Sequence, residues 1–377
     1  MAAPERTMNG GGRFRDHLRE PEVSIDQHTN RRIKALGDFL RPRRAVYLDM
    51  CFWIALREAY RDRTNNSAGQ LLNLLRRNVE AGSIFCPISD NTFVELMKQS
   101  DHTSRQMTAA LIDELSLGVT LIPEEIRVTT EVTHFLHTTT GTPNLLPLEE
   151  LVWCKLSYVL GVIHPYETAF DPATERAIQK AFFDHMWTVP LTQMAEQIGE
   201  TEILGRDWSD LANELNAGIA AHSHELRSFK QAYKAEVRGI VDLAGGFAAD
   251  AISEIAAAKG ITLPSPTTEE RLQSENNFKN LMALALEKGK AQQQLRTMHI
   301  LACLHASLRW NKGQKIVSND IFDFHHATAA LAYCDAFFTE KPLCTMITQQ
   351  HVKLDKQFEC HVTADINDAA EWLATIS

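Results

Sequence analysis

Residues 45–50 read Ala-Val-Tyr-Leu-Asp-Met, a compact apolar run that contains one carboxylate and follows the basic stretch Arg41-Pro42-Arg43-Arg44. A short, continuous apolar run of this kind is typical of a strand buried on both faces, as in a parallel sheet. Asp49 stands near the end of this strand. Ligands of open α/β sheets bind at the carboxyl ends of the strands, so the position indicates a functional carboxylate. The alternative role for Asp49 is to cap the helix that follows.

The segments after this strand alternate between helical and strand-like patterns. Helices are predicted over 51–63, 67–81, a segment capped by Asp90 or Asn91 that runs through Glu95, and 103–117, and strands are predicted over 84–89 and 119–122. An alternation of strands and helices requires crossover connections, and crossovers produce parallel pairing. The sequence therefore predicts an α/β fold with a parallel sheet flanked by helices.

The pattern changes in the middle of the chain, where long amphipathic helices such as 207–259 and 268–290 replace the strands. After residue 290 strand-like runs return at 314–317, 336–339 and 358–362, with helices over 320–334 and 366–375. We therefore expect four parts. They are a flexible tail (1–25) with a basic helical segment to residue 44, a first α/β part over 45–124, a mostly α-helical insertion over 125–290, and a second α/β part over 291–377.

Composition excludes several classes of protein. An apolar fraction of 44% and a charged fraction of 23% are those of a folded globular chain. No apolar run approaches the roughly 18 residues of a membrane span, and the first 20 residues lack the apolar core of a signal peptide, so we expect a cytoplasmic protein. The seven cysteines form no Cys-x-x-Cys pair, which argues against a disulfide framework and a cysteine zinc site. A net charge of −10 argues against tight, non-specific binding of nucleic acid, but not against an acidic active site.

Carboxylates recur next to the predicted strands and helix starts. Glu95 has apolar neighbours on its helix, although a solvent-facing role would explain it equally well. Asp320 and Asp323 are three residues apart at a helix start, where both can share one face and where acids also complement the helix dipole. Asp335 precedes the strand at 336–339, and Glu340 follows it.

A group of carboxylates has a chemical use. Clustered carboxylates repel one another, and a divalent cation relieves the repulsion. Mg²⁺ is held by a few carboxylates, water and substrate phosphates, and such ions activate water for attack on phosphorus. The sequence shows no Walker A loop and no serine or cysteine nucleophile with an evident base partner. Metal-assisted hydrolysis with Mg²⁺ or Mn²⁺ is therefore the reaction class that these residues favour.

The order of these motifs resembles that of the PIN-domain nucleases. The resemblance is carried by the strand with Asp49, the helix with Glu95, the helix start Asp323-x-x-x-Ala-x-Ala-Ala, the strand end Phe337-Phe338-Thr339-Glu340 and the last strand, Cys360-His361-Val362-Thr363. It covers residues 45–122 and 295–377, and the helical middle matches nothing in that family. The resemblance implies a PIN-like parallel sheet and cleavage of RNA, less often DNA, with Mg²⁺ or Mn²⁺.

By motif position, the resemblance implies that Asp49, Glu95 and Asp323 are metal ligands. The family commonly has Thr-x-Asp or Thr-Asp where this chain has Thr339-Glu340, and Asp335 is a nearby candidate for the fourth ligand. We therefore take six carboxylates as candidate catalytic residues: Asp49, Glu95, Asp320, Asp323, Asp335 and Glu340.

The sequence leaves several alternatives open. The leading hypothesis is an endoribonuclease, such as a toxin or an antiviral-defence effector, whose helical insertion binds a regulatory protein or a second copy of the chain. The alternatives are a catalytically inactive PIN-like scaffold for a protein or RNA partner, and a DNase with the same site. A phosphatase of small substrates is disfavoured because an Asp-x-Asp strand end is absent. His325-His326 offers either a metal or substrate contact or helix packing.

Overall fold

Most of the structure is helical, and a four-stranded parallel sheet flanked by helices gives it a mixed α/β architecture. The computed structural model describes residues 10–63, 66–161, 164–198, 208–222, 228–244, 267–311 and 315–376. The parallel sheet predicted from the alternation of strands and helices is thus confirmed.

The strands, in chain order, are β1 (Arg44–Leu48), β2 (Ile84–Phe85), β3 (Val119–Leu121), β4 (Trp153–Lys155), β5 (Ala336–Phe338) and β6 (His361–Thr363). The helices from the amino end to residue 198 are α1 (Gly10–His17), α2 (Ile25–Leu40), α3 (Met50–Arg61), α4 (Ser67–Ala81), α5 (Asp90–Met97), α6 (His102–Ser116), α7 (Glu124–Thr139), α8 (Leu148–Leu151), α9 (Leu156–Val159), α10 (Pro172–Met186) and α11 (Leu191–Ile198).

The later helices are α12 (Ser209–His222), α13 (Phe229–Ala244), α14 (Thr268–Glu287), α15 (Arg296–Trp310), α16 (Ser318–Tyr333), α17 (Lys341–Thr348), α18 (Leu354–Gln357) and α19 (Ile366–Ala374). The chain forms two compact units. The first comprises Met1–Pro123, Glu149–Gly205 and Thr363–Ser377, and the second comprises Glu124–Leu148 and Arg206–Val362.

The parallel sheet has the strand order β2-β1-β5-β6. In the first unit, β1 pairs with β2 in parallel, with Arg44 opposite Ile84 and Ala45 opposite Phe85. The side chains of β1 from residue 45 onward are all buried, as expected of a strand covered by helices on both faces. The second unit is mainly helical, with α15 packed against α7, α13 and α16.

The strand predicted over 119–122 forms, but the prediction that it belongs to the parallel sheet is wrong. β3 pairs antiparallel with β4 in a separate two-stranded sheet. Its other edge meets the chain just after β2, because Leu121 N–H donates to the Ile88 carbonyl at 2.9 Å. β4 is only three residues long, too short to be recognised by its own periodicity.

The prediction of a strand over 314–317 is also wrong. The structure describes residues 315–317 of this run, and they are not in a strand. The side chain of Asn216 takes the place of a neighbouring strand. Its Oδ1 accepts from the Ile316 backbone N–H at 2.9 Å, and its Nδ2 donates to the Ile316 carbonyl at 2.7 Å. Both backbone groups are therefore satisfied without a ladder.

Other predicted elements form with shifted limits. The strand at 336–339 and the last helix are confirmed as β5 and α19, whereas the strand predicted over 358–362 lies at His361–Thr363. The tail predicted over 1–25 contains α1. Ser89, rather than Asp90 or Asn91, caps α5. The helix predicted over 207–259 is described at Ser209–His222 and Phe229–Ala244, residues 208 and 228 are not helical, and its remaining residues lie outside the described ranges. Among the described helices, none has the length and apolar character needed to cross a bilayer.

Candidate functional site

Asp49 is the first residue after β1 and the N-cap of α3. Its Oδ1 accepts a hydrogen bond from the Met50 backbone N–H at 2.7 Å, and the side chain is only 5% exposed. The carboxylate therefore lies at the carboxyl end of a buried parallel strand, as the sequence predicts. The helix-cap role that the sequence left open is present as well, because Asp49 is the N-cap of α3.

A buried hydroxyl network fixes α5 against β1. The hydroxyl of Tyr47, two residues before Asp49, lies 2.7 Å from Ser89 Oγ and 3.0 Å from Thr92 Oγ1. Ser89 and Thr92 also form the capping box of α5. The start of this helix is therefore held both by its own cap and by the strand beneath it.

Glu95 follows Thr92 by three residues, so the two side chains share one face of α5. Since Thr92 is held against β1 by Tyr47, this face of the helix lies over the strand. The result is a close pair: one carboxylate oxygen of Asp49 and one of Glu95 lie within 4.8 Å of each other. Of the six predicted site residues, these two are brought together within the first unit.

Beyond this pair, polar contacts join residues of α3 to Gln99 and Thr108. Gln99 Nε2 lies 3.3 Å from Met50 Sδ, and Gln99 Oε1 accepts from Arg57 Nη1 at 3.0 Å. Arg57 also donates to Thr108 Oγ1 at 3.2 Å and pairs with Glu58 at 2.6 Å. Arg57 is 8% exposed, and these contacts hold its guanidinium two turns of helix beyond Asp49.

The four other predicted acids belong to the second unit. Asp320 has a structural task there, because its Oδ2 accepts from the Val317 backbone N–H at 2.8 Å at the start of α16. Asp323, one turn later, accepts from Asn319 Nδ2 at 3.4 Å and is half-buried.

Asp335 and Glu340 are both exposed and lie at opposite ends of β5. Asp335 precedes the strand, and its backbone carbonyl accepts from the His361 N–H at 2.9 Å, where β6 begins. It stands at the amino end of its strand, unlike Asp49. Glu340 follows the buried Thr339 and is the N-cap of α17, without a side-chain capping bond.

His325 and His326 differ in their surroundings. His326 is fully buried in α16. Nδ1 of His325 lies 2.8 Å from Glu124 Oε2, and its ring lies against Trp208 with centroids 5.8 Å apart. Burial would raise the pKa of Glu124, but the hydrogen bond and charge of His325, together with Arg127, hold that pKa at about 2.

A second buried acid in this unit was not selected from the sequence. Glu131 is fully buried and accepts from the Thr297 backbone N–H at 3.0 Å, the Thr297 hydroxyl at 2.6 Å and the Tyr333 hydroxyl at 2.6 Å. Burial raises its pKa to about 7, although these donors favour the ionised form. Its partners are about 166 and 202 residues away in the chain, so no local signal marks it.

No family model, curated protein or solved structure matches this chain.

Proposed function

We propose that the protein is a metal-dependent nuclease, in the first place an endoribonuclease, whose Mg²⁺ or Mn²⁺ is held by Asp49 and Glu95. The observation that supports this proposal is the close pair of carboxylates at the carboxyl end of β1. This is the edge of an open α/β sheet at which ligands bind.

The electrostatic argument for a cation starts from the repulsion between the two carboxylates. Two unit charges no more than 4.8 Å apart repel by at least roughly 3 kcal/mol at the effective dielectric of 20 that suits protein sites. Asp49 is 5% exposed, so water screens it poorly. A divalent cation between the two groups converts repulsion into attraction, and hard carboxylate oxygens suit Mg²⁺ and Mn²⁺.

Each ligand is positioned by a separate part of the scaffold. The Met50 N–H holds the Asp49 carboxylate in one orientation, and the Tyr47–Ser89–Thr92 network holds the helix that carries Glu95. A bound ion supplies an activated water and stabilises charge on phosphate oxygens. Asp323 remains a further ligand implied by the resemblance to PIN-domain nucleases, and Asp320, Asp335 and Glu340 are weaker candidates.

A second function, an inactive scaffold that binds a protein or RNA, is favoured by one observation. Asp49 already has a structural use, because it caps α3 through the Met50 N–H. A cap alone accounts for an acid at this position. It does not account for the nearby Glu95 carboxylate, which is why the nuclease is the first proposal.

The deciding experiment measures cleavage of RNA, single-stranded DNA and double-stranded DNA in Mn²⁺, Mg²⁺ or EDTA. The variants are Asp49→Asn and Glu95→Gln, and the matched control is Glu80→Gln, which changes an exposed acid on α4. Asparagine caps helices about as well as aspartate, so Asp49→Asn removes charge while keeping the fold.

We expect metal-dependent cleavage of RNA that falls at least about 100-fold in both site variants, since a bound ion contributes several kcal/mol to such reactions. The Glu80→Gln control should cut at the wild-type rate. Cleavage of DNA alone would select the DNase. Wild-type rates in both site variants would refute the assignment of the site, and the absence of cutting under all conditions would favour the scaffold.

A further inference from the structure

A second group of metal-ligating side chains lies in the first unit, where three helices meet. His17 is the last residue of α1, His28 is in the first turn of α2, and Asp184 is near the end of α10. Nε2 of His17 is 3.0 Å from Asp184 Oδ2, and Nε2 of His28 is 2.9 Å from Asp184 Oδ1. One ligand atom from each residue lies within 4.8 Å of the other two.

The arrangement is built by a stripe of polar residues on α10. Arg176, Lys180 and Asp184 are four residues apart and therefore share one face of the helix. Arg176 Nε donates to the Pro21 carbonyl at 2.8 Å, and Lys180 Nζ donates to the Glu20 carbonyl at 2.7 Å. These bonds fix the segment between α1 and α2, so the two histidines arrive at Asp184 from its two sides.

The distances suit a tetrahedral metal with two imidazole ligands and one carboxylate. Zn²⁺ binds histidine nitrogen and carboxylate oxygen at about 2.0–2.2 Å, which places tetrahedral ligand atoms roughly 3.3 Å apart. The nitrogen–oxygen distances of 3.0 and 2.9 Å, each to a different oxygen of Asp184, are within a few tenths of an ångström of this spacing. Three protein ligands also leave a fourth position for water or another ligand.

The surrounding charge determines which metals fit. Arg32 Nε lies 3.4 Å from Asp184 Oδ1, and Lys180 lies one turn before Asp184 on α10. Two cations and a single carboxylate make a poor environment for Mg²⁺, which depends on several hard oxygen ligands. Zn²⁺ gains instead from its bonds to neutral imidazole nitrogen, and Arg32 orients the carboxylate as an outer partner.

We propose that His17, His28 and Asp184 form a binding site for a zinc-class transition metal that fastens the amino-terminal segment to α10. The site is independent of the Asp49–Glu95 pair in its ligands and in the metals it selects. It uses no cysteine, so the cysteine pattern of the sequence gives no indication of it.

The test is a titration of the metal-free 377-residue chain with Co²⁺, which gives visible absorption when bound tetrahedrally, followed by displacement with Zn²⁺. The variants are His28→Gln and Asp184→Asn. His185→Gln is the matched control, because His185 is the exposed neighbour of Asp184 on the same helix. Asp49→Asn reports any contribution from the other carboxylate site.

We expect one equivalent of Co²⁺ with the tetrahedral visible absorption in the wild type and in the His185→Gln and Asp49→Asn variants. Loss of an outer partner weakens metal sites 10–100-fold, so loss of a ligand in His28→Gln or Asp184→Asn should weaken binding by at least about tenfold. Mg²⁺ in excess should not displace the Co²⁺, whereas Zn²⁺ should.

Circular dichroism shows whether each variant is folded, and His17→Gln replaces any ligand variant that is not. Zn²⁺ should also raise the thermal midpoint of the wild type and not that of a folded ligand variant. The proposal is overturned if the folded wild type binds no stoichiometric Co²⁺ or Zn²⁺. It is equally overturned if a folded ligand variant binds as tightly as the wild type.

Discussion

The Tyr47 hydroxyl and Ser89 Oγ lie 2.7 Å apart in a fully buried position, and this bond joins the central strand β1 to the cap of α5. Asp49 lies two residues after Tyr47, and Glu95 lies six residues after Ser89. The separation of the two carboxylates therefore depends on a pair of hydroxyl residues outside the carboxylate pair itself.

Replacing Tyr47 by phenylalanine tests the connection. The change removes one hydroxyl and leaves the Ser89 and Thr92 hydroxyls without that partner, so we expect the free energy of unfolding to fall by about 1–3 kcal/mol. Urea unfolding of the wild type and the variant measures this free energy. Tyr60→Phe is the control, because Tyr60 is 51% exposed. Equal stability of the two variants would show that the buried bond contributes nothing.

Metal dependence of stability offers a test of the Asp49–Glu95 pair that needs no substrate. In EDTA, Asp49→Asn should raise the unfolding free energy by about 1–3 kcal/mol, because it removes the repulsion between the carboxylates. With Mn²⁺ at 100 times its dissociation constant, the wild type should gain about 2.7 kcal/mol and the variant much less. Differential scanning fluorimetry follows both changes. An equal response to Mn²⁺ in the two proteins would contradict the site.

Glu131 should make the protein less stable as the pH rises. Its pKa is about 7 in the folded state against 4.5 in the ordinary carboxyl, so between these values the folded protein binds more protons than the unfolded chain. The stabilisation that protonated Glu131 provides is therefore complete below pH 4.5. It is lost as the pH rises toward 7, by on the order of 3 kcal/mol. Unfolding free energies of wild type and Glu131→Gln from pH 5 to 8 measure it.

The control for Glu131→Gln is Glu125→Gln, an exposed acid on the same helix. The wild type and the control should share the fall in stability, and Glu131→Gln should be flatter across this range. A Glu131→Gln profile parallel to that of the wild type would mean that the buried carboxyl titrates normally.

His299 should have the opposite effect on the pH dependence of stability, in an overlapping pH range. Burial lowers its pKa to about 4, and the ring lies 2.7 Å from the Tyr233 hydroxyl and 3.0 Å from Gln357 Oε1. Between pH 6.5 and 4 the unfolded chain binds the extra proton, so stability is lost on acidification. We expect His299→Gln to lose this acid sensitivity, as measured by unfolding free energy between pH 4 and 7. An unchanged acid slope in the variant would contradict the lowered pKa.

The elements that the sequence predicts well carry their signal within a few residues. β1 is a continuous apolar run, Asp49 follows it directly, and the helix with Glu95 begins at a polar cap. The proximity of the two carboxylates could be expected because Asp49 directly follows β1 and Glu95 lies on the helix that follows the neighbouring parallel strand β2. The role of Tyr47 in positioning them could not be expected, because the sequence pattern of a buried tyrosine in a strand indicates only a core residue.

The misses have long-range causes. The strand-like run around Ile316 is satisfied by an asparagine side chain 100 residues earlier, and β3 is paired with a three-residue strand that periodicity cannot detect. His28 and Asp184 are 156 residues apart, so the cluster that they form with His17 exists only in the folded chain.

The division of the first unit into three chain segments has a consequence for synthesis. α19, in the last segment, packs against α4, whose buried face includes Leu71, Leu72 and Leu75. A ribosome adds about 5–20 residues per second, so the interval between residues 123 and 363 lasts on the order of tens of seconds. Throughout that interval the nascent chain lacks the helix that packs against α4, so the carboxylate-bearing unit is completed only after residues 363–377 have been translated.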